Sequence, residues 1–500
     1  MIPVLQQPET WLVAIPALGA ATTFAFREQG RRGVVSFVLA GIAISTAMTF
    51  AKLLLRGPYS HSIGGWVAPL GITWQIDGLA AAMILLTSLV GVMISRYALE
   101  YFGSSAEEQR QAAYFWPLWF FLLSGLYAIF LTADIFNWYV TLELSGLAAV
   151  GLITLSEKPQ ALTGSMRYLL IALCASLFYL LGVVFLYGEY GSLDLTTLAA
   201  RIQPGSVTQV ALALMTIGLI AKAALFPLHF WLPPAHANAP SPVSAALSAL
   251  VVKAGFYILL RLQLVLWPVV STRYLAIGLG ALGAAAILWG SAQAIRQSRL
   301  KLLIAYSTVA QIGYLFIMFP LLHAGWAGDP LWASYAWAGG VYQALSHGLA
   351  KAALFLAAGV VIHAVGDDRL DSLRGLGEKL PLTATAMALA GISLMGIPPG
   401  AGFIAKWLLL SASVASGQWG WAVVMILGGL MAVGYLFRVY RRLLTARDVP
   451  VLHQPPRRME AVALTLAILS LVFGLSSYPL FYLLRIGAPA SVGLYLEGLP

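Results

Sequence analysis

Six side chains able to carry or release a proton sit in apolar runs of the chain, where charge is costly. Glu143 lies within DIFNWYVTLELSGLAAVGL, Lys222 lies ahead of Pro227, and Lys253 lies in LSALVVKAGFYILLR. His347 and Lys351 share QALSHGLAKAALFLAAG, and Lys406 follows Ile397-Pro398-Pro399-Gly400. One charge at the centre of a bilayer costs about 2.5–3.5 kcal/mol on insertion scales, so charges there mark ion pathways or proton relays. A carboxylate about 6 Å from an ammonium, at an effective dielectric near 20, attracts it by about 2.8 kcal/mol, enough to change a lysine's proton occupancy about a hundredfold. Glu143 moving toward or away from Lys222 would load or unload a proton there, with Lys253 next in line. His347 and Lys351, spaced i and i+4, share one helix face, and Gln343 extends it by a turn.

The runs that hold these groups dominate the chain. Of 500 residues 60% are hydrophobic and 10% charged, and the mean hydropathy is +0.85. That is too little polar surface to cover a soluble globule, so the expectation is an all-α polytopic membrane protein forming a single membrane domain over residues 1–500. About fourteen spans fit the apolar runs. Trp11 to Phe26 is kept as span one and not as a cleaved leader, because Glu9 precedes it and Arg27, Arg31 and Arg32 follow it.

Placing the basic residues tests that count. Loops after odd-numbered spans receive 19 of the 29 Lys and Arg, and loops after even-numbered spans with the C-terminus receive 6. The bias puts odd loops in the cytoplasm and both termini on the outer face of a prokaryotic-type inner membrane. Among the even-loop residues are Lys52 and Arg261, and among the odd-loop residues Lys301. The remaining four are Lys222, Lys253, Lys351 and Lys406, all inside spans. The formal charge of +10 therefore reflects topology, and basic residues that alternate with spans do not build a nucleic-acid face. The arginine-rich stretch Arg438 to Arg458 could also attract anionic lipid. Cys174 is alone, so no disulfide framework and no multi-cysteine cluster or zinc site is expected. No metal, no cofactor and no catalytic or redox site is expected in this chain, and redox chemistry would belong to a partner.

Two spans are broken by proline, span seven at Pro227 and span twelve at Pro398 and Pro399. Such breaks are tolerated where they line a protein-enclosed or wet cavity. The two spans are five apart and so run in opposite directions. The lysine precedes the proline in one and follows it in the other, an order read here as inversion through the membrane plane. Inverted five-helix bundles follow from that reading: residues 1–110 hold spans one to three, 111–266 the first bundle, 267–445 the second, and 446–500 span fourteen. His229, His236, Asp134 and Gln343 are accessory candidates.

The blocks ADIFNWYVTLELSGL, KAALFPLHFWLPPAHANAPSPVSAALSALVVKAGFYILLR, RLKLLIAYSTVAQIGY, LSHGLAKAALFLAAGVV and LMGIPPGAGFIAKW resemble the antiporter-like, proton-translocating subunits shared by respiratory complex I, membrane-bound hydrogenases and Mrp-type sodium/proton antiporters. The resemblance runs collinearly from roughly residue 100 to 445. It implies the two inverted bundles, and it sets Glu143, Lys222 and Lys253 on the family's helix-five, helix-seven and helix-eight sites. It sets His347 and Lys351 on its helix-eleven relay and Lys406 on its helix-twelve site, which is Lys or Glu within the family. Arg167 stands where many members have lysine, and arginine does not deprotonate in proteins. The chain ends soon after span fourteen, so a long lateral extension is not expected, which with Lys406 leans toward an Mrp-like or hydrogenase-like parent.

The function that the resemblance implies is ion translocation, of protons and in some branches sodium/proton antiport, by a membrane subunit of a multisubunit complex. Its partners would be homologous and small membrane subunits, a peripheral redox arm in some branches, and the lipid bilayer. Two readings compete: a structural subunit that moves nothing, and a stand-alone secondary transporter.

Overall fold

The computed structural model describes residues 7–26, 30–103, 105–270, 273–445 and 450–488. Arg27 and Arg447, two residues used to orient the chain, fall outside them. The chain opens with α1 (Pro8–Phe26) and α2 (Arg31–Arg56), followed by the antiparallel hairpin β1 (Tyr59–Ser62) and β2 (Thr73–Ile76), with Tyr59 opposite Ile76. The hairpin is an addition to the expected all-helical plan, and four-residue strands are too short to give a two-residue periodicity. Beyond it lie α3 (Gly78–Tyr101), α4 (Ala106–Leu131), α5 (Ile135–Thr154), α6 (Pro159–Tyr190), the short α7 (Leu195–Arg201) and α8 (Ser206–Lys222). Then come α9 (Leu232–Asn238), α10 (Ser241–Ala246), a π-helical turn at Leu247–Val251, and α11 (Val252–Val265).

The second half holds α12 (Arg273–Arg296), α13 (Leu300–Ala327), α14 (Pro330–Val365), α15 (Leu376–Lys379), α16 (Pro381–Met395), α17 (Ala401–Ala415), α18 (Trp419–Leu444), α19 (Arg457–Leu475) and α20 (Tyr478–Arg485). Among the described residues twelve stretches are long and apolar enough to cross a membrane, counting α10 to α11 as one. The interrupted pairs α8 with α9 and α16 with α17 lie where spans seven and twelve are expected, and their apolar helices are too short to be counted singly.

Helix starts follow local chemistry. Asp77, Asp134 and Asp194 accept the backbone N–H of Ala80, Asn137 and Thr197 at 2.7–2.9 Å, and Ser105 with Glu108 forms a reciprocal capping box. Acids at the span ends are thus largely caps. The stretch from Ser241 to Gln263 is entirely buried and α14 is largely so, because α14 packs against α3, α13, α16, α17 and α19. Exposed apolar side chains such as Phe37, Leu177 and Leu430 lie on α2, α6 and α18 at the periphery. Lys253, His347 and Lys351 are therefore on elements shielded from lipid, whereas α5, α8 and α17, which hold Glu143, Lys222 and Lys406, also carry exposed apolar side chains such as Leu147, Ile217 and Trp407.

Three loop assignments of paired or carbonyl-bound cations are corrected. Arg261 lies within α11, buried, with its guanidinium on both oxygens of Asp77 at 2.5 and 2.6 Å. Lys301 lies in the first turn of α13, 3% exposed, and donates to the Ala239 carbonyl at 2.5 Å. Both helices extend past their apolar runs, and a paired or carbonyl-bound cation can be buried where hydropathy alone points to solvent. Lys52, also placed in a loop, lies in α2 and reaches the buried Glu9 at 3.0 Å.

Candidate functional site

The first cluster sits where α8 stops. Past Lys222 the chain leaves the helix, with Ala224 at φ 54°, and Pro227 supplies no N–H. The indole of Trp231 donates to the Ala221 carbonyl at 3.1 Å, which also accepts the Ala224 N–H at 3.1 Å, so the last turn of the helix is tied to the far side of the break. Lys222 is therefore the last residue of a helix, where its ammonium also meets the negative end of the helix dipole. Its Nζ lies 2.9 Å from Glu143 Oε1 of α5, with the side chains 7% and 18% exposed. Ser176 of α6 donates to the same carboxylate oxygen. Gly146, one turn beyond Glu143, faces the ammonium: a Cβ built there would meet the Lys222 Nζ at 3.6 Å, an ordinary van der Waals contact.

A second cluster lies at the centre of the molecule. The wide turn at Leu247–Val251 leaves the Ser248 carbonyl to accept Lys253 Nζ at 2.6 Å, and π turns of this kind recur at functional sites. Ser248 Oγ and Thr308 Oγ1 of α13 are 2.9 Å apart, and Thr308 Oγ1 donates to the Ile304 carbonyl at 3.0 Å. Lys351 of α14 donates to that same carbonyl at 2.9 Å and also to Ser307 Oγ. Polar contacts thus run from Lys253 to Lys351 across three elements. His347 and His236 are buried nearby, their ring nitrogens without a hydrogen-bond partner among the described residues. His347 lies within electrostatic reach of Lys253, Lys351, His236 and Lys406.

The third cluster surrounds Lys406 on α17. Its Nζ donates to the Leu394 and Met395 carbonyls at 2.8 and 3.2 Å and lies 4.6 Å from the Tyr314 ring centroid. Those carbonyls end α16, where Gly396 turns the chain at φ 80°. A Cβ on Gly396 would come within 2.6 Å of Lys406 Cδ. Gln343 Nε2 donates to Gln311 Oε1 at 2.8 Å, and Gln311 Nε2 donates to the Leu394 carbonyl at 3.2 Å. The Gln343 face of α14 is thereby connected to Lys406 through α13.

The order of lysine and proline along the chain is not what relates the two breaks. A two-fold axis in the membrane plane preserves chain order, so the reading given to that order does not follow. What the breaks share is position: each ammonium lies at the carbonyl end of the first half-helix, Lys222 as its last residue and Lys406 by reaching back from the second half. They differ in partner, a carboxylate for Lys222 and carbonyls with an aromatic ring for Lys406.

The accessory candidates separate. Gln343 joins the third cluster and His236 the second. His229 lies in the break, stacked on Phe226 with ring centroids 5.4 Å apart. Asp134 caps α5 about two turns before Glu143, and burial raises its carboxyl above the usual value, with the Asp194 carboxylate adding to the effect. Gln311 and Lys301 were missed: an amide in an apolar run carries no charge signal, and Lys301 was assigned to a loop. Lys301 lines a cavity of about 480 Å³ together with Lys158, Asn238, Arg299 and Asp368. Among the described residues no group of three or more His, Cys, Asp or Glu is placed to hold a metal ion.

The family model described as NADH:quinone oxidoreductase/Mrp antiporter, TM, matches residues 132–432, more than half of the chain and all six buried groups. The chain belongs to this family. A NADH-quinone oxidoreductase subunit N from Desulforudis audaxviator is 37% identical over 82% of this chain and 80% of its own length. A Na(+)/H(+) antiporter protein from Alkalihalophilus pseudofirmus is 29% identical over 83% and 82%. Among solved structures, an archaeal membrane-bound sulfane sulfur reductase has a chain that superposes with a TM-score of 0.88, covering 99% of this chain and 100% of its own at 25% identity. A chain of an Mrp complex from Dietzia sp. and one of a respiratory complex I from Thermus thermophilus share the fold as well, with TM-scores of 0.86 and 0.72 at 25% and 26% identity over 98% and 96% of this chain and 99% of each.

Proposed function

We propose that the chain is an ion-translocating membrane subunit of a multisubunit complex and that it moves protons along Glu143, Lys222, Lys253, His347, Lys351 and Lys406. The observation that carries this reading is the Glu143–Lys222 pair at 2.9 Å, held at the end of a broken helix. A buried pair whose partners sit on different elements, α5 and α8, can be opened by a small relative motion, and opening it changes the proton affinity of the lysine. Polar groups from Lys253 to Lys351, and from Gln343 to Lys406, hold and orient the titratable side chains; backbone carbonyls and amides do not pass a proton on, so in this reading it moves between the titratable groups through water. The cavity lined by Lys301 is the inlet from the odd-loop side in this reading.

Residues 111–266 and 267–445 then act as two inverted bundles around one shared line of charge, and both termini lie outside, as the loop bias supports, 18 to 4 once Lys301, Lys52 and Arg261 are taken out of the loops. The parent complex supplies the driving force, from redox cofactors in other subunits or from an ion gradient; relatives of both kinds support either source. Glu143→Gln and Lys222→Ala, in the complex reconstituted in liposomes, should each lower proton transport at least about tenfold while subunit composition stays normal. That loss corresponds to about 1.4 kcal/mol, well within what breaking a buried pair removes. Normal transport by both variants overturns the proposal in favour of a structural subunit, and transport by the purified single chain favours a stand-alone transporter.

A further inference from the structure

A second site lies outside the charge line, on the face formed by α2, α3 and α19. Three arginines converge there from three separate helices: Arg32 at the start of α2, Arg96 in the last two turns of α3, and Arg458 at the start of α19. All three side chains are exposed, and they rim a groove of about 680 Å³. Arg458 is 3.1 Å from Glu100. Among the described residues neither Arg32 nor Arg96 has an ion-pair partner, so three guanidiniums face one carboxylate.

The floor of the groove has a different chemistry from its rim. Val92 and Met93 lie one turn deeper on α3 than Arg96, and with Leu99 and Val462 they make an apolar wall. On α3, positions 92, 93, 96, 99 and 100 recur at helical spacing, so a single face carries cation at the membrane edge and hydrocarbon beneath. A soluble anion would be matched by the rim and not by the floor, and a hydrocarbon chain by the floor and not by the rim.

We infer that this groove binds an anionic phospholipid, with its phosphate among Arg32, Arg96 and Arg458 and an acyl chain against Val92, Met93 and Val462. Charge complementarity selects the headgroup: each basic side chain at a membrane surface raises the affinity for anionic lipid about fivefold. Guanidinium also suits phosphate better than ammonium does, because its planar fork donates two parallel hydrogen bonds. Bound lipid would join α2 to α3 and α19, and so tie the N-terminal helices to the end of the chain.

The test uses the full chain in its complex, stripped of lipid, placed in nanodiscs of phosphatidylcholine doped with phosphatidylglycerol or cardiolipin, and read by native mass spectrometry of retained lipid. Wild type should retain the anionic species over phosphatidylcholine, and inorganic phosphate should not displace it. Arg32→Gln with Arg96→Gln should weaken retention about 30-fold, two arginines at about fivefold each. Val92→Trp, which fills the floor and leaves every arginine in place, should weaken it as well. Arg32→Lys with Arg96→Lys should keep most of the selectivity, which guards against a mere folding defect. Equal retention by wild type and the double Gln variant, no preference over phosphatidylcholine, or displacement by inorganic phosphate would overturn the inference. So would a photo-crosslinker at position 96 that captures a neighbouring subunit instead of lipid.

Discussion

At the scale of single residues, the two half-helix lysines pose a contrast. Lys222 faces a carboxylate at 2.9 Å, whereas Lys406 is held by two backbone carbonyls and the Tyr314 ring. An ammonium against carbonyls keeps its hydrogen bonds but gains less than from a full counter-charge, so Lys406 is the easier of the two to discharge. Arginine at 406 would preserve the positive charge and donors but could not release a proton. Lys406→Arg should therefore abolish proton transport in proteoliposomes while the complex melts within a few degrees of wild type; transport retained by this variant would remove Lys406 from the path. Among these residues the sequence made the six charged groups plain, because charge in an apolar run stands out. It left Gln311 and the two carbonyl acceptors unread, because an amide and a backbone oxygen carry no such contrast.

At the scale of elements, each break is built from a proline and from residues that accept its consequences. Gly396 ends α16 at φ 80°, and a methyl group there would come within 2.6 Å of Lys406 Cδ. Gly191 ends α6 at φ 63° with nothing within 4 Å of a built Cβ. Alanine at either site meets left-handed strain of about 1–2 kcal/mol, but only Gly396→Ala also displaces the lysine. Both variants should show similar losses in thermal stability, and only Gly396→Ala should lose transport; equal transport would show that the lysine tolerates the shift. The breaks at Pro227 and Pro398 were legible, since proline interrupts an apolar run visibly. The π turn at Leu247–Val251 was not, because its residues are ordinary helix formers in an unbroken run.

At the scale of the whole molecule, the buried Asp77–Arg261 pair ties distant parts together. Arg261 belongs to α11, Asp77 caps α3, and the next residue, Gly78, donates its N–H to the Ile486 carbonyl beyond α20 at 2.6 Å. Tyr257, one turn before Arg261, accepts from Arg261 Nε and donates to the Phe130 carbonyl of α4 at 2.8 Å. Removing one member leaves an uncompensated charge, at a cost of about 3–5 kcal/mol. Asp77→Ala should thus lower the melting temperature sharply and reduce assembly, and Asp77→Ala with Arg261→Met should recover much of it. Failure of the double variant to recover would show that Arg261 acts through something other than this pair. The sequence placed Arg261 in a loop, since its partner lies 184 residues away and local hydropathy has no access to that distance.

The wide turn at Leu247–Val251 has a geometric consequence for the crossing it interrupts. It takes up one residue more than an α-helix would, and each helical residue turns the chain by about 100°. The stretches on either side are therefore out of phase, like two toothed wheels on one axle set a tooth apart. Before the turn, Ser241 meshes with Gly359 of α14, where a Cβ would lie 2.5 Å from its own. After it, Gly255 meshes with the Leu219 carbonyl of α8, which a Cβ there would approach to 2.9 Å. One crossing so engages two neighbours that a uniform helix, with a single seam, would have to choose between.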